Sequence, residues 1–134
     1  MILFKQMKNI LFLALLFCAL SCKKKPDIIG KWEVTESQTK YISEFKNNGI
    51  VLTNYYNTKT NKRLNTEPLR LEYSLRSERS DWFIDFYDVS ANRKITSRMN
   101  LINNDTLITY SKETVYAEND SVVETRQIIH TRVE

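Results

Sequence analysis

The chain has 134 residues, with 20 basic and 16 acidic side chains, one histidine, two cysteines, two glycines and two prolines. That length leaves room for one domain with its own core and excludes two. The formal charge of +4 is concentrated near the N-terminus, in Lys5, Lys8, Lys23, Lys24 and Lys25, and residues 26–134 carry 15 basic against 16 acidic side chains, which excludes a basic nucleic-acid footprint.

Ile10 to Leu20 is an unbroken apolar run preceded by Lys5 and Lys8 and followed by Ser21, Cys22 and the lysine triplet. A membrane-spanning helix needs about 20 apolar residues, so the run is too short to span and has the length of a signal-peptide core. Translation from Met7 would also give a complete leader, "MKNILFLALLFCALSC". The small Ser21 directly before Cys22 resembles the lipobox of bacterial lipoproteins, with Ala19 where Leu, Val or Ile is commonest. The resemblance implies cleavage before a lipidated Cys22 and a palmitate-type anchor; an ordinary secreted protein or an N-terminal anchor helix is the alternative. Residues 1–21 are thus expected to be a signal peptide, 22–29 a lipidated tether and 30–134 the folded domain. With Cys18 in the leader and Cys22 at its end, the domain has no disulfide and must hold by packing alone.

Beyond Pro26 the apolar residues mostly alternate. In "LRLEYSLR", Leu69, Leu71, Tyr73 and Leu75 share one side against Arg70, Glu72, Ser74 and Arg76. That period of two describes a half-buried strand. "DWFIDFYD" sets Trp82, Ile84 and Phe86 against Phe83, Asp85 and Tyr87, a second face that is itself partly aromatic. Ile95, Met99 and Leu101 share a face that Ser97 interrupts. Polar stretches at short intervals read as turns, among them Asn47-Asn48-Gly49, where Asn-Gly tolerates the positive φ of a tight hairpin. The pattern predicts strands at 31–37, 40–46, 50–56, 68–76, 82–88, 94–102, 106–116 and 121–133. The fold class is therefore all-β, and eight antiparallel strands joined by hairpins close most simply into a single up-and-down barrel, which removes both exposed edges. A two-sheet sandwich is the alternative.

Gly30 and Trp32 in "IIGKWEV" resemble the Gly-x-Trp element that opens the first strand of lipocalins, and a Cys-Lys-Lys tether running into it is similar to the small lipocalin-like lipoproteins of Bacteroidetes. The resemblance implies a tryptophan plug at the closed end of the barrel, with a last-strand arginine packed over it: Arg132, or failing that Arg126. The chain is shorter than a typical lipocalin, and no Thr-Asp-Tyr-like second motif is present.

Catalytic and metal chemistry finds little to build on. His130 is the sole histidine and the domain has no cysteine, so a His/Cys zinc site is excluded, and no nucleophile motif accompanies His130, which reads as structural or exposed. Asp81, Asp85 and Asp88 crowd one strand without a spacing that forces acid–base work, and read as solvated. No catalytic residue, metal or cofactor is assigned. Tyr55 and Tyr56, ahead of a polar loop, are candidates for a binding rim. The expected protein is a monomer held in the cell envelope through Cys22, in an outer membrane and facing the periplasm, with no nucleic-acid partner. Its expected role is non-covalent binding of a small apolar ligand or lipid against Leu71, Tyr73, Trp82, Ile84 and Phe86. A filled barrel that serves as a protein-interaction or inhibitor module is the alternative, because eight strands enclose a space that side chains alone can fill.

Overall fold

The computed structural model describes residues 24–117 and 120–134, with side chains outside 113–124. The expected signal peptide and Cys22 lie outside the described residues. Eight strands follow in order: β1 (Gly30–Glu36), β2 (Thr39–Phe45), β3 (Ile50–Asn57), β4 (Leu69–Glu78), β5 (Asp81–Asp88), β6 (Arg93–Ile102), β7 (Thr106–Ala117) and β8 (Asp120–Val133). Their ends fall within two residues of those the alternation predicts. Each pairs antiparallel with its neighbour in sequence, and β8 returns to β1, so the sheet closes as an up-and-down barrel.

Turn chemistry sets the hairpins. Gly49 takes φ +81° after Asn48, the left-handed position that ends the β2–β3 turn, and Lys46 N–H donates to the Ile50 carbonyl at 2.9 Å. Arg79 and Ser80 both hold positive φ in the β4–β5 hairpin, as do Asn103 and Asn104 in β6–β7. Pairs of left-handed residues match the twist of the flanking strands.

Register decides which face looks inward, because side chains alternate with a period of two. Trp32 pairs with Ser43, Ser43 with Thr53 and Thr53 with Leu69. Tyr73 pairs with Phe86 and Phe86 with Ile95, while Leu75 pairs with Ile84 and Ile84 with Ser97. All of these face the lumen. The core lies toward the end that holds the β2–β3, β4–β5 and β6–β7 turns: Trp32, Phe45, Val51, Ile84, Met99 and Leu107 are buried there, joined by Ile28 from the segment before β1.

The outer face explains the aromatics that alternation left outside. Arg76 lies 4.7 Å over the Phe83 ring, Arg98 4.3 Å over Tyr110 and Lys40 5.7 Å over Tyr56, and cations on ring faces cover apolar surface without a second layer of protein. Asp85 corrects the expectation of a solvated carboxylate. It faces outward, yet is only 8% exposed, because Arg76 Nε donates to it at 2.8 Å, Thr96 Oγ1 donates at 2.6 Å and Lys94 stands 3.8 Å away. Burial alone would raise its pKa, and the hydrogen bonds from Thr96 and Arg76 with the two cationic charges hold it below the usual aspartate range.

Candidate functional site

Two ends of the lumen differ in chemistry. At the closed end Trp32 is fully buried, and its Nε1–H donates to the Ile28 carbonyl at 2.8 Å. The Arg132 guanidinium sits 4.3 Å over the indole ring. The same guanidinium donates to the carbonyls of Asn104 (2.6 Å), Ile29 (2.6 Å) and Asp27 (3.0 Å). Gly30 makes room for it. At φ +123° a side chain is strained, and a Cβ there would meet Arg132 Nη1 at 3.0 Å. Arg126, the other arginine considered from the sequence, stands at the opposite end and bonds Glu36.

The five residues read as a ligand wall come together at this core. Ile84 is completely buried, and Leu71, Tyr73, Trp82 and Phe86 pack against the cluster around it. The Phe45 ring meets Tyr73 edge-on at 4.9 Å and Phe86 at 6.1 Å. Tyr73 donates its hydroxyl to the Lys46 carbonyl at 2.5 Å, so that group is already committed. A ligand contact with Ile84 or the Tyr73 hydroxyl requires the closed end to repack.

Above the core runs a polar band. Ser43 Oγ and Thr53 Oγ1 are 2.8 Å apart, Thr109 Oγ1 and His130 Nε2 share a hydrogen bond at 3.0 Å, and Ser97 faces the same space. His130 Nδ1 is buried and meets no partner among the described residues. Burial pushes the imidazole down to about 4, against a smaller upward pull from Glu36, so it is neutral at pH 7. Higher still stand Tyr41 and Tyr55, their rings 5.8 Å apart, and the Glu36–Arg126 pair. Desolvation, then the Glu36 charge, push the Tyr41 phenol up to about 12, which keeps it a hydrogen-bond donor. Tyr55 thus lines the mouth, whereas Tyr56 points outward beneath Lys40.

No protein-family model, no curated protein and no solved structure matches the chain.

Openness at the mouth is read from side chains that the register aims inward but that stay in contact with solvent. Leu69 at the start of β4 is 42% exposed and Ile95 near the start of β6 is 41% exposed. Three seams loosen at the same end, and in one of them β6 has no β7 partner before Arg98, beside Ile95. β3 and β4 pair only from Ile50 to Thr53, and residues 62–65 fold back along the free part of β3, where Asn65 accepts from Tyr55 N–H at 3.0 Å and donates to the Thr53 carbonyl at 3.2 Å. β1 and β8 pair over only three residues, and the Glu36–Arg126 pair spans that seam above them. Sequence reasoning missed Tyr41, Ser43, Thr53 and Thr109 as lumen residues of this half, whereas Leu69 was already on the inward face of its strand. The inward placement of the missed residues needs the register relative to Trp32.

The buried imidazole makes stability depend on pH. The unfolded chain takes up a proton near the ordinary histidine value of about 6.5, while the folded chain does so only near 4. The unfolded state therefore binds more protons between those values, and stability is full above the unfolded pKa and falls as pH drops, by about 1.4 kcal/mol per pH unit from this group. Urea unfolding at pH 7.5 and 4.5 is expected to show this slope in the parent and a markedly shallower one in His130→Gln. Equal slopes would assign the acid sensitivity elsewhere.

Proposed function

We propose that the protein is a lipocalin-like lipoprotein, anchored in the cell envelope through Cys22, whose barrel binds a small, mainly apolar molecule or lipid non-covalently in the mouth half of the lumen. One observation carries the reading: Leu69 and Ile95 lie on the inner face of the barrel and remain about two-fifths exposed, so solvent reaches the inner wall beside them. Below them Leu71 and Phe86 form an apolar floor, and the Tyr41 and Tyr55 rings, 5.8 Å apart at the mouth, carry hydroxyls suited to one polar group of the ligand. Apolar barrel interiors capped by a few polar groups are typical of small-molecule sites. The polar band beneath carries no net charge, because His130 is neutral and Ser43 and Thr53 satisfy each other.

The test is a titration of the leaderless protein with uncharged apolar fluorophores such as N-phenylnaphthylamine, then competition with fatty acids and fatty alcohols. Saturable binding is expected in the parent. Ile95→Asp places a charge on the wall, where desolvation penalises it, and is expected to weaken binding by at least about tenfold with the fold intact. A flat response across the panel from the folded parent would favour the filled-barrel interaction module instead.

A further inference from the structure

The segment between the anchor and the barrel is not a loose leash over its described length. Ile28 is 1% exposed, inside the core cluster. Its carbonyl takes the Trp32 indole N–H, and the Arg132 guanidinium grips the carbonyls on either side of it, at Ile29 and Asp27. Asp27 Oδ1 accepts from Ile29 N–H at 3.1 Å. Upstream, Lys24 and Lys25 border a cleft of about 590 Å³ with Ser80, Asp81 and Asn104, while Lys25, Pro26 and Asp27 border another of about 460 Å³ with Asn47 and Gly49. Residues 24–29 thus cross the closed end between its three hairpins.

From this we infer that the Trp32–Arg132 plug is a socket for the anchor, and that the barrel stands with its closed end on the bilayer and its mouth toward the aqueous phase. The inference rests on lipidation of Cys22. Only Lys23 separates Cys22 from Lys24, so the lipidated Cα lies within about 7 Å of a residue fixed at the closed end. β5 has eight residues and rises about 20 Å along the axis at the usual barrel tilt, which sets the rim of the mouth at that side well beyond the reach of the tether. The closed-end surface suits a headgroup layer: Lys24 and Lys25 are exposed, and Ile29 and Ile102 expose apolar surface beside polar turns. The consequence is functional. A ligand enters from, and leaves to, the aqueous side, so the barrel exchanges cargo with a soluble donor or acceptor rather than drawing it out of its own leaflet.

Residues 23–134 contain no cysteine, so a single introduced thiol can be labelled in the full lipidated protein. Asn47→Cys marks the closed end and Ala91→Cys the β5–β6 turn at the mouth; both positions are exposed and free of positive φ. After reconstitution into phosphatidylethanolamine/phosphatidylglycerol vesicles, a fluorophore at Asn47→Cys is expected to be quenched several-fold more by a headgroup nitroxide lipid than one at Ala91→Cys. Insertion of about ten Gly/Ser residues between Lys23 and Lys24 adds roughly 18 Å of flexible reach and is expected to erase the contrast, with circular dichroism unchanged. Mass spectrometry of the same samples separates two failures. A chain without lipid on Cys22 overturns the anchor and the orientation with it. A lipidated, folded chain with equal quenching at the two positions, or stronger quenching at the mouth, overturns the orientation alone.

Discussion

Trp32→Ala is expected to remove about 3–5 kcal/mol of unfolding free energy, against the 5–15 typical of a whole domain. The indole is fully buried, so its truncation opens a cavity that the β-ladder around it cannot collapse to fill. Two further losses add to the cavity. The Ile28 carbonyl loses its donor at 2.8 Å, and the Arg132 guanidinium loses the ring it covers at 4.3 Å. Trp32→Phe keeps an aromatic face for Arg132 but offers no N–H, and is expected to fall between the parent and the alanine variant. Urea unfolding of residues 24–134 measures both. A loss below about 1 kcal/mol in Trp32→Ala would mean that the ring contributes no more than an ordinary surface side chain.

Much of the fold was legible because alternation is a local property. In β4 the apolar and polar sets separate cleanly, in β5 one face is apolar from Trp82 to Phe86, and the turns carry residues that tolerate positive φ, such as Asn103, Asn104 and Gly49. What escaped the sequence depends on register between strands. Asp85 reads as an outward carboxylate on any strand diagram, but its burial follows from pairing opposite Ser74 and Thr96, small side chains that let Arg76 and Lys94 close over it. His130 reads as a lone histidine until Thr109 is brought within 3.0 Å by the β7–β8 register. The segment before Gly30 reads as a spacer because two adjacent isoleucines at the end of a short polar run show no period, and only the geometry of the Trp32 N–H reveals Ile28 as part of the core.

The candidate site shows the same division. Leu71, Trp82 and Phe86 were recognisable as inward-facing, and alternation could go no further, since an inward side chain may fill a barrel or line a hollow in it. Depth separates the two outcomes. Toward the closed end, large side chains from opposite walls meet: Phe45 from β2 reaches Tyr73 and Phe86 from β4 and β5. Toward the mouth the inward residues of β2 and β3 pass from the short Ser43 and Thr53 to the Tyr41 and Tyr55 rings, while Leu69 and Ile95 on the β4 and β6 walls stay about two-fifths exposed. That contrast in exposure is why the proposed site is put toward the mouth and not among the packed rings.

Cys22→Ala is expected to have the largest effect on location and none on the fold. The apolar run from Ile10 to Leu20 is about half the length a spanning helix needs, so it can direct export but not hold the protein across a bilayer by itself. A thioether-linked diacylglycerol at Cys22 would supply two chains at about 0.8 kcal/mol per buried CH₂, which is the difference between reversible contact and stable anchoring. The variant should incorporate no labelled fatty acid and should retain its leader, visible as a slower band on a gel. The barrel itself begins its packing at Ile28, six residues beyond the substitution, so the urea unfolding of the barrel in the unprocessed variant is expected to match that of the parent. Labelling and processing equal to the parent would refute the anchor. Loss of both with an intact barrel is the result that the proposed anchor requires, because the tie from Cys22 to the closed end would run through only two covalent steps, by way of Lys23 to Lys24.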